Sequence, residues 1–198
     1  MPVSRPNGYS DAGFQRSKFL DRGEKEVDSF KHNVPTLNGG QANFKQCWLA
    51  SYGMLQRFHS KPTADFETRL AGAGIDVADA KQNGLVDTQF AKASSAAGTT
   101  IFSSKPFKDT SFWDFDVSSG AKEFIKELKN GPLWVSRFIS EGTYHIVLAT
   151  GYNDSGTGYI IFNNPFPGPD NAVEVNNITA TVFCRFITDA RGSVQGYR

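Results

Sequence analysis

The stretch Gln41-Ala42-Asn43-Phe44-Lys45-Gln46-Cys47-Trp48-Leu49-Ala50-Ser51-Tyr52-Gly53-Met54-Leu55-Gln56-Arg57-Phe58 decides how the rest of the chain is read. From Cys47 onward, Ala50, Met54 and Phe58 recur at four-residue steps with Leu55 beside them, which places apolar side chains on one face of a helix. The spacing predicts a helix from Cys47 to Phe58 with that face buried. Asn38, Gly39 and Gly40 punctuate the chain before it, so Cys47 falls in the first turn. Unpaired N–H groups and the helix dipole favour an anion there, which lowers a thiol's pKa and makes a nucleophile of it. The competing use of such a cysteine is plain packing.

Working outward, residues 1–37 are polar, rich in Gly, Asn and alternating charge, and read as an N-terminal arm leading into a domain that spans residues 38–198. Beyond the first helix, a short one is expected around Asp65 to Leu70. Another should run from about Val86 to Ala97, stopped by Gly98. Ser118 or Ser119 can cap a fourth, carrying Phe124, Ile125 and Leu128 and ending at Asn130, Gly131 and Pro132. The pattern then changes. Leu133 to Ile139, Thr143 to Thr150, Tyr159 to Phe162 and Thr179 to Ile187 are short runs rich in Val, Ile, Phe and Tyr, bounded by turn residues. They read as antiparallel strands, with Asn153-Asp154-Ser155-Gly156 as a hairpin loop and Cys184 packed in the core beside Val182 and Phe186 on the last of them. Helices first and strands second, without alternation, predict an α+β domain.

Composition narrows the function classes. Of 198 residues, 39% are hydrophobic and 17 are Phe, so the chain can bury a substantial core and is not disordered. Lys and Arg total 21 against 20 acidic residues, a net charge of +1 that gives no general drive toward nucleic acid or anionic lipid. No run approaches the roughly 18 to 20 apolar residues that a membrane-spanning helix needs, and the first residues lack the apolar run of a secretory signal. Synthesis in the cytoplasm without membrane insertion is therefore expected. Two cysteines and three scattered histidines make neither a disulfide framework nor a metal-ligand spacing, and no metal or cofactor is expected.

Gln41, six residues before Cys47, and Trp48 immediately after it resemble the papain-like cysteine peptidases. In that superfamily a glutamine precedes the nucleophile by the same interval, and the nucleophile is followed by Trp or Tyr. The resemblance implies a papain-like fold, an N-terminal helical half whose nucleophile helix packs on a C-terminal antiparallel sheet. It also assigns roles. Gln41 would share the oxyanion with the Cys47 N–H. An imidazole should come from the strand half; His32 lies in the arm and His59 follows the nucleophile's own helix, which leaves His145, at the head of Ile146-Val147-Leu148-Ala149. The residue orienting that ring should stand at the end of the next strand, in Asn163-Asn164-Pro165. Asn164 is preferred, because Asn163 points to the opposite face of a regular strand.

The resemblance covers roughly residues 38–187, with departures. Gln46 stands where familiar members carry a small residue, and no Cys-Gly-Ser-Cys run or partner cysteine is present, which points to the bacterial, disulfide-free branch of effectors, toxins and leader peptidases. The expected activity is cleavage of a peptide bond through a Cys47 thioester in a protein or peptide substrate. Export into a target cell, and a cognate immunity or inhibitor protein, are the partners this branch implies. A peptidoglycan amidase of the same mechanism and a non-catalytic papain-fold binding module are the competing readings.

Overall fold

The computed structural model describes residues 28–35, 43–108, 117–140, 143–165 and 173–198. Among them, six helices surround one antiparallel sheet. The helices are α1 (Cys47–Phe58), α2 (Phe66–Gly72), α3 (Val77–Asn83), α4 (Phe90–Ala97), α5 (Ser119–Leu128) and α6 (Ala180–Arg185). The strands are β1 (Phe30–Lys31), β2 (Thr100–Phe102), β3 (Leu133–Ser140), β4 (Thr143–Asn153), β5 (Tyr159–Asn164), β6 (Val173–Thr179) and β7 (Val194–Gly196). They lie in the order β2-β7-β3-β4-β5-β6, and β1 pairs with the distal part of β4, Phe30 opposite Tyr152. No helix among the described residues is long and apolar enough to cross a membrane.

The central strand explains the layering. Because side chains alternate across a strand, the unbroken apolar run Ile146-Val147-Leu148-Ala149 must be covered on both faces. Ile146 and Leu148, with Trp134 of β3, join a core made by α1 to α4. Val147 and Ala149, with Leu133 and Val135, join a second core made by α5 and α6. Polar bonds fix α1 on its face: Trp134 Nε1 donates to the Trp48 carbonyl at 3.2 Å, and Ser51 Oγ donates to the Ile146 carbonyl at 3.3 Å. Deeper in, Tyr52 OH donates to Oε1 of the fully buried Gln195 at 2.5 Å, whose amide donates to Gly192 and Phe90 carbonyls.

The predicted helix at Cys47–Phe58 is present with those bounds. Ser118 caps α5, accepting from the Ala121 N–H, and Phe124, Ile125 and Leu128 are fully buried. Gly98 ends α4 in the left-handed region at φ 70°, as its position past the last periodic residue predicts. The hairpin loop joins β4 to β5, where Asn153 pairs with Tyr159.

Three expectations need correcting. Val86 does not open α4: a 3-10 turn at Asp87–Gln89 intervenes, and Val86 is 54% exposed. Thr179 to Ile187 is not a strand. Thr179 ends β6, and its side chain caps α6 by accepting from the Val182 N–H, so a threonine read as a strand former acts as a helix start. Cys184 is in the core, but on a helix. Val182 and Phe186, at two-residue spacing from it, are 36% and 39% exposed, as a helix requires and a strand does not.

Candidate active site

Cys47 opens α1, following a 3-10 turn at Phe44–Gln46 whose start is capped by Asn43 accepting from the Lys45 N–H at 2.8 Å. This turn delivers the thiol to the edge of a cleft of about 390 Å³ between α1, the end of α3 with the residues after it (83–87), and Tyr144 and Ile146 of β4. Cys47, Trp48 and Ile146 line this cleft together. The β4 residue just before Ile146 is His145. The structure therefore brings the start of α1 and the head of β4 to one cleft.

On the sheet, His145 and Asn164 are diagonal neighbours on one face. Leu148 is opposite Asn163, so Asn164 lies one step beyond, beside Val147 and two residues from His145. The His145 Nε2–H donates to Asn164 Oδ1. An amide oxygen can only accept, so Nε2 holds the proton and Nδ1 keeps a lone pair. Asn163 points the other way. It is buried, with its amide 3.7 Å from the Met54 sulfur on α1.

The other histidines take different places. His32 donates from Nε2 to the Leu128 carbonyl at 2.7 Å, and the His59 ring packs against Tyr197 with centroids 4.7 Å apart. Gln41, with the glycine pair before it, lies outside the described residues.

The electrostatics correct one expectation. Cys47 is only 6% exposed, and burial pushes its thiol pKa up; the backbone N–H groups of Ile146, Trp48 and Cys47, and then the Lys45 charge, pull it down by less. A helix start alone favours the thiolate, yet desolvation of a single buried charge outweighs it. Burial likewise pulls the His145 imidazole below its ordinary value, opposed by the Asn164 hydrogen bond and reinforced by the positive charge of Arg137. Burial thus favours the neutral form of each group, a thiol at Cys47 and an uncharged imidazole at His145.

Sequence reasoning did not find the opposite wall of the cleft. Asn83 ends α3 and Gly84, Leu85, Val86 and Asp87 follow it; α3 has too few apolar positions to show periodicity, and these residues reach the cleft through tertiary packing alone. The Asn83-Gly84 turn pair was the one available local signal, with Gly84 at φ 97°.

Against known proteins, the family described as papain-like cysteine protease AvrRpt2 matches residues 28–182. No curated protein and no solved structure matches the chain. The matched span runs from just before β1 into α6 and takes in the Cys47 helix, His145 and the Asn163-Asn164 strand end. The chain belongs to this family of papain-like cysteine proteases, peptide hydrolases of α+β architecture.

Proposed function

We propose that the protein cleaves a peptide bond in a protein target by a Cys-His-Asn mechanism, with Cys47 as nucleophile, His145 as general base and acid, Asn164 as the residue orienting the ring, and Gln41 as an oxyanion donor. One observation carries the reading: His145 donates through Nε2 to Asn164 Oδ1, which leaves Nδ1 as a base, while the next residue, Ile146, lines the same cleft as Cys47. Cys47 lines the cleft together with Ile146, and His145, one residue earlier on β4, is hydrogen-bonded to Asn164 on β5.

The steps follow from these roles. As Sγ bonds to the scissile carbonyl carbon, its proton passes to Nδ1 of His145, and the carbonyl oxygen gains the negative charge that the Cys47 N–H and Gln41 amide receive. The imidazolium then gives that proton to the departing amine nitrogen as the C–N bond breaks, leaving a thioester. Water, deprotonated by Nδ1, hydrolyses the thioester and regenerates the thiol. Asn164 accepts from Nε2–H throughout and holds the ring in plane.

The catalytic domain in this reading is residues 38–198, preceded by an arm at 1–37 of which 28–35 is tied to β4. The family supports a bacterial effector delivered into a target cell; a cognate immunity or inhibitor protein is a further part of this proposal. The test is a digest of a denatured proteome with wild type, Cys47→Ala and His145→Ala, read by mass spectrometry of new termini, with acid-quench trapping of the acyl-enzyme. New termini and a Cys47 thioester in wild type only are expected. Cleavage of cell-wall stem peptides without cleavage of protein would instead favour the amidase reading.

A further inference from the structure

Beside the candidate site lies a half-buried cation that the mechanism above does not use. Arg137 of β3 is directly opposite His145 of β4 in the antiparallel register, so the two side chains leave the same face of the sheet. Its guanidinium carbon lies 4.3 Å from the Phe183 ring centroid on α6 and 5.8 Å from that of Phe162 on β5. Adjacent strands are about 4.8 Å apart, so a side chain that starts on β3 and comes this close to a β5 ring has crossed β4. Phe162 lies two residues from Asn164 on its strand, and Val147 two residues from His145 on β4. The guanidinium therefore runs along the inner side of the His145–Asn164 pair, roofed by Phe183. Its Nε is buried without a hydrogen-bond partner, and burial pulls its pKa down to about 10, which leaves it charged at neutral pH.

The Arg137 Nε, buried without a hydrogen-bond partner, gives up hydration that an apolar residue of similar length would not. We propose that Arg137 is a positioning residue of the protease site, a fixed positive charge behind the His145–Asn164 pair that keeps the imidazole a free base at rest and a strong acid toward the leaving amine. This rests on reading His145 as the general base.

The neutral third residue fits the arrangement. An aspartate at 164 would cancel the guanidinium charge, whereas Asn164 lets it act on the ring. Cation–π contact with Phe183 fixes the guanidinium without neutralising it. The groups that meet His145 from neighbouring elements are Arg137 on β3 and Asn164 on β5, with Tyr144 next to it on β4 and Cys184 of α6 beside Arg137. Of these, Arg137 alone is charged at neutral pH.

The experiment titrates the His145 ring by NMR in a Cys47→Ala background, its signal assigned with His145→Gln, for Arg137, Arg137→Met and Arg137→Lys. The same three variants carrying Cys47 are assayed for kcat and KM against pH. A charge at this range shifts a partner's titration by about 0.5 to 2 pH units. Arg137→Met should raise the His145 midpoint by that amount and move the acidic limb of kcat/KM with it, while KM stays within about twofold. Arg137→Lys should restore both. Equal His145 midpoints in all three folded proteins would overturn the proposal, as would a Met-like midpoint in Arg137→Lys. Should Arg137→Met fail to fold, Arg137→Lys and Arg137→Gln give the same comparison. Because the NMR titration needs no turnover, absence of activity in every variant sinks the reading of the site and not the role of the charge.

Discussion

Asn163 and Asn164, adjacent on β5, face opposite sides of the sheet: one is buried toward Met54 of α1, and the other accepts the His145 Nε2–H. One residue of register separates a packing position from the partner of His145.

The two asparagines should therefore fail differently. Asn164→Ala leaves nucleophile and base in place and loses ring orientation, so kcat should fall by about tenfold to a thousandfold with the melting temperature little changed. Asn163→Ala leaves a gap under the sheet and should cost about 1 to 3 kcal/mol of stability with kcat largely kept. Initial rates and thermal melts on the pair check this; severe loss of activity at Asn163 with Asn164→Ala near wild type would reverse the assignment.

Strand parity was legible because β5 is regular at its end, and so was α1, whose apolar residues repeat over three turns. What escaped reading was held by distant partners. The short β1 and β7 exist because β4 and β3 pair with them, and α3 buries little beyond Ala80. The run from Thr179 to Ile187 is short enough to suit either period, and the Thr179 cap decides it for a helix. Arg137 looked like an ordinary strand residue; its importance comes from its place opposite His145, which only the register reveals.

Both cysteines are buried, Cys47 at 6% and Cys184 at 0% exposure, so alkylation should be slow for each and measurably faster for Cys47, which opens on the cleft. With burial pushing the Cys47 thiol up, its thiolate forms only at higher pH than in an open thiol. The iodoacetamide rate at Cys47 should rise toward alkaline pH with a midpoint above that of a free cysteine peptide. A plateau reached already at neutral pH would show a preformed thiolate.

Burial pulls His145 below the ordinary histidine value of 6.5, and His59 likewise, where Lys61 and His32 add to the effect. For both groups the unfolded chain binds protons at a pH where the folded chain does not, so stability rises with pH across that window. The contribution is fully present above about pH 6.5 and is lost as pH falls through the folded values. Melting temperature should drop between pH 7 and 5, and each of His59→Gln and His145→Gln should flatten part of that drop. For activity, the acidic limb of kcat/KM should lie below pH 6.5, and its absence from His145 titration data would separate it from this residue.

The last prediction concerns how the chain before the site is held. β1 lies on β4 with Lys31 opposite Gly151, and the His32 N–H donates to the Thr150 carbonyl at 2.8 Å. Lys31 pairs with Glu174 of β6 at 2.5 Å, and His32 reaches the Leu128 carbonyl that ends α5. A side chain on residue 151 has no room: a Cβ there would run into the Phe30 carbonyl oxygen and come within 2.8 Å of the Lys31 Cα. Both obstacles are backbone, so the strand itself must move, and the ladder, the ion pair and the His32 contact loosen together. Gly151→Ala should lower stability by about 1 to 3 kcal/mol and expose the bond after Lys31 to limited trypsin digestion, while the Cys47 cleft, held on α1 and the head of β4, keeps most of its activity. Removing residues 1–35 from wild type should cost a similar amount, and adding Gly151→Ala to that truncation should cost little more, because the clash has gone with β1. A full additional loss in the truncated protein would show that Gly151 serves β4 itself, at the irregular pairing between Ala149 and Gly151, and not the close approach of β1.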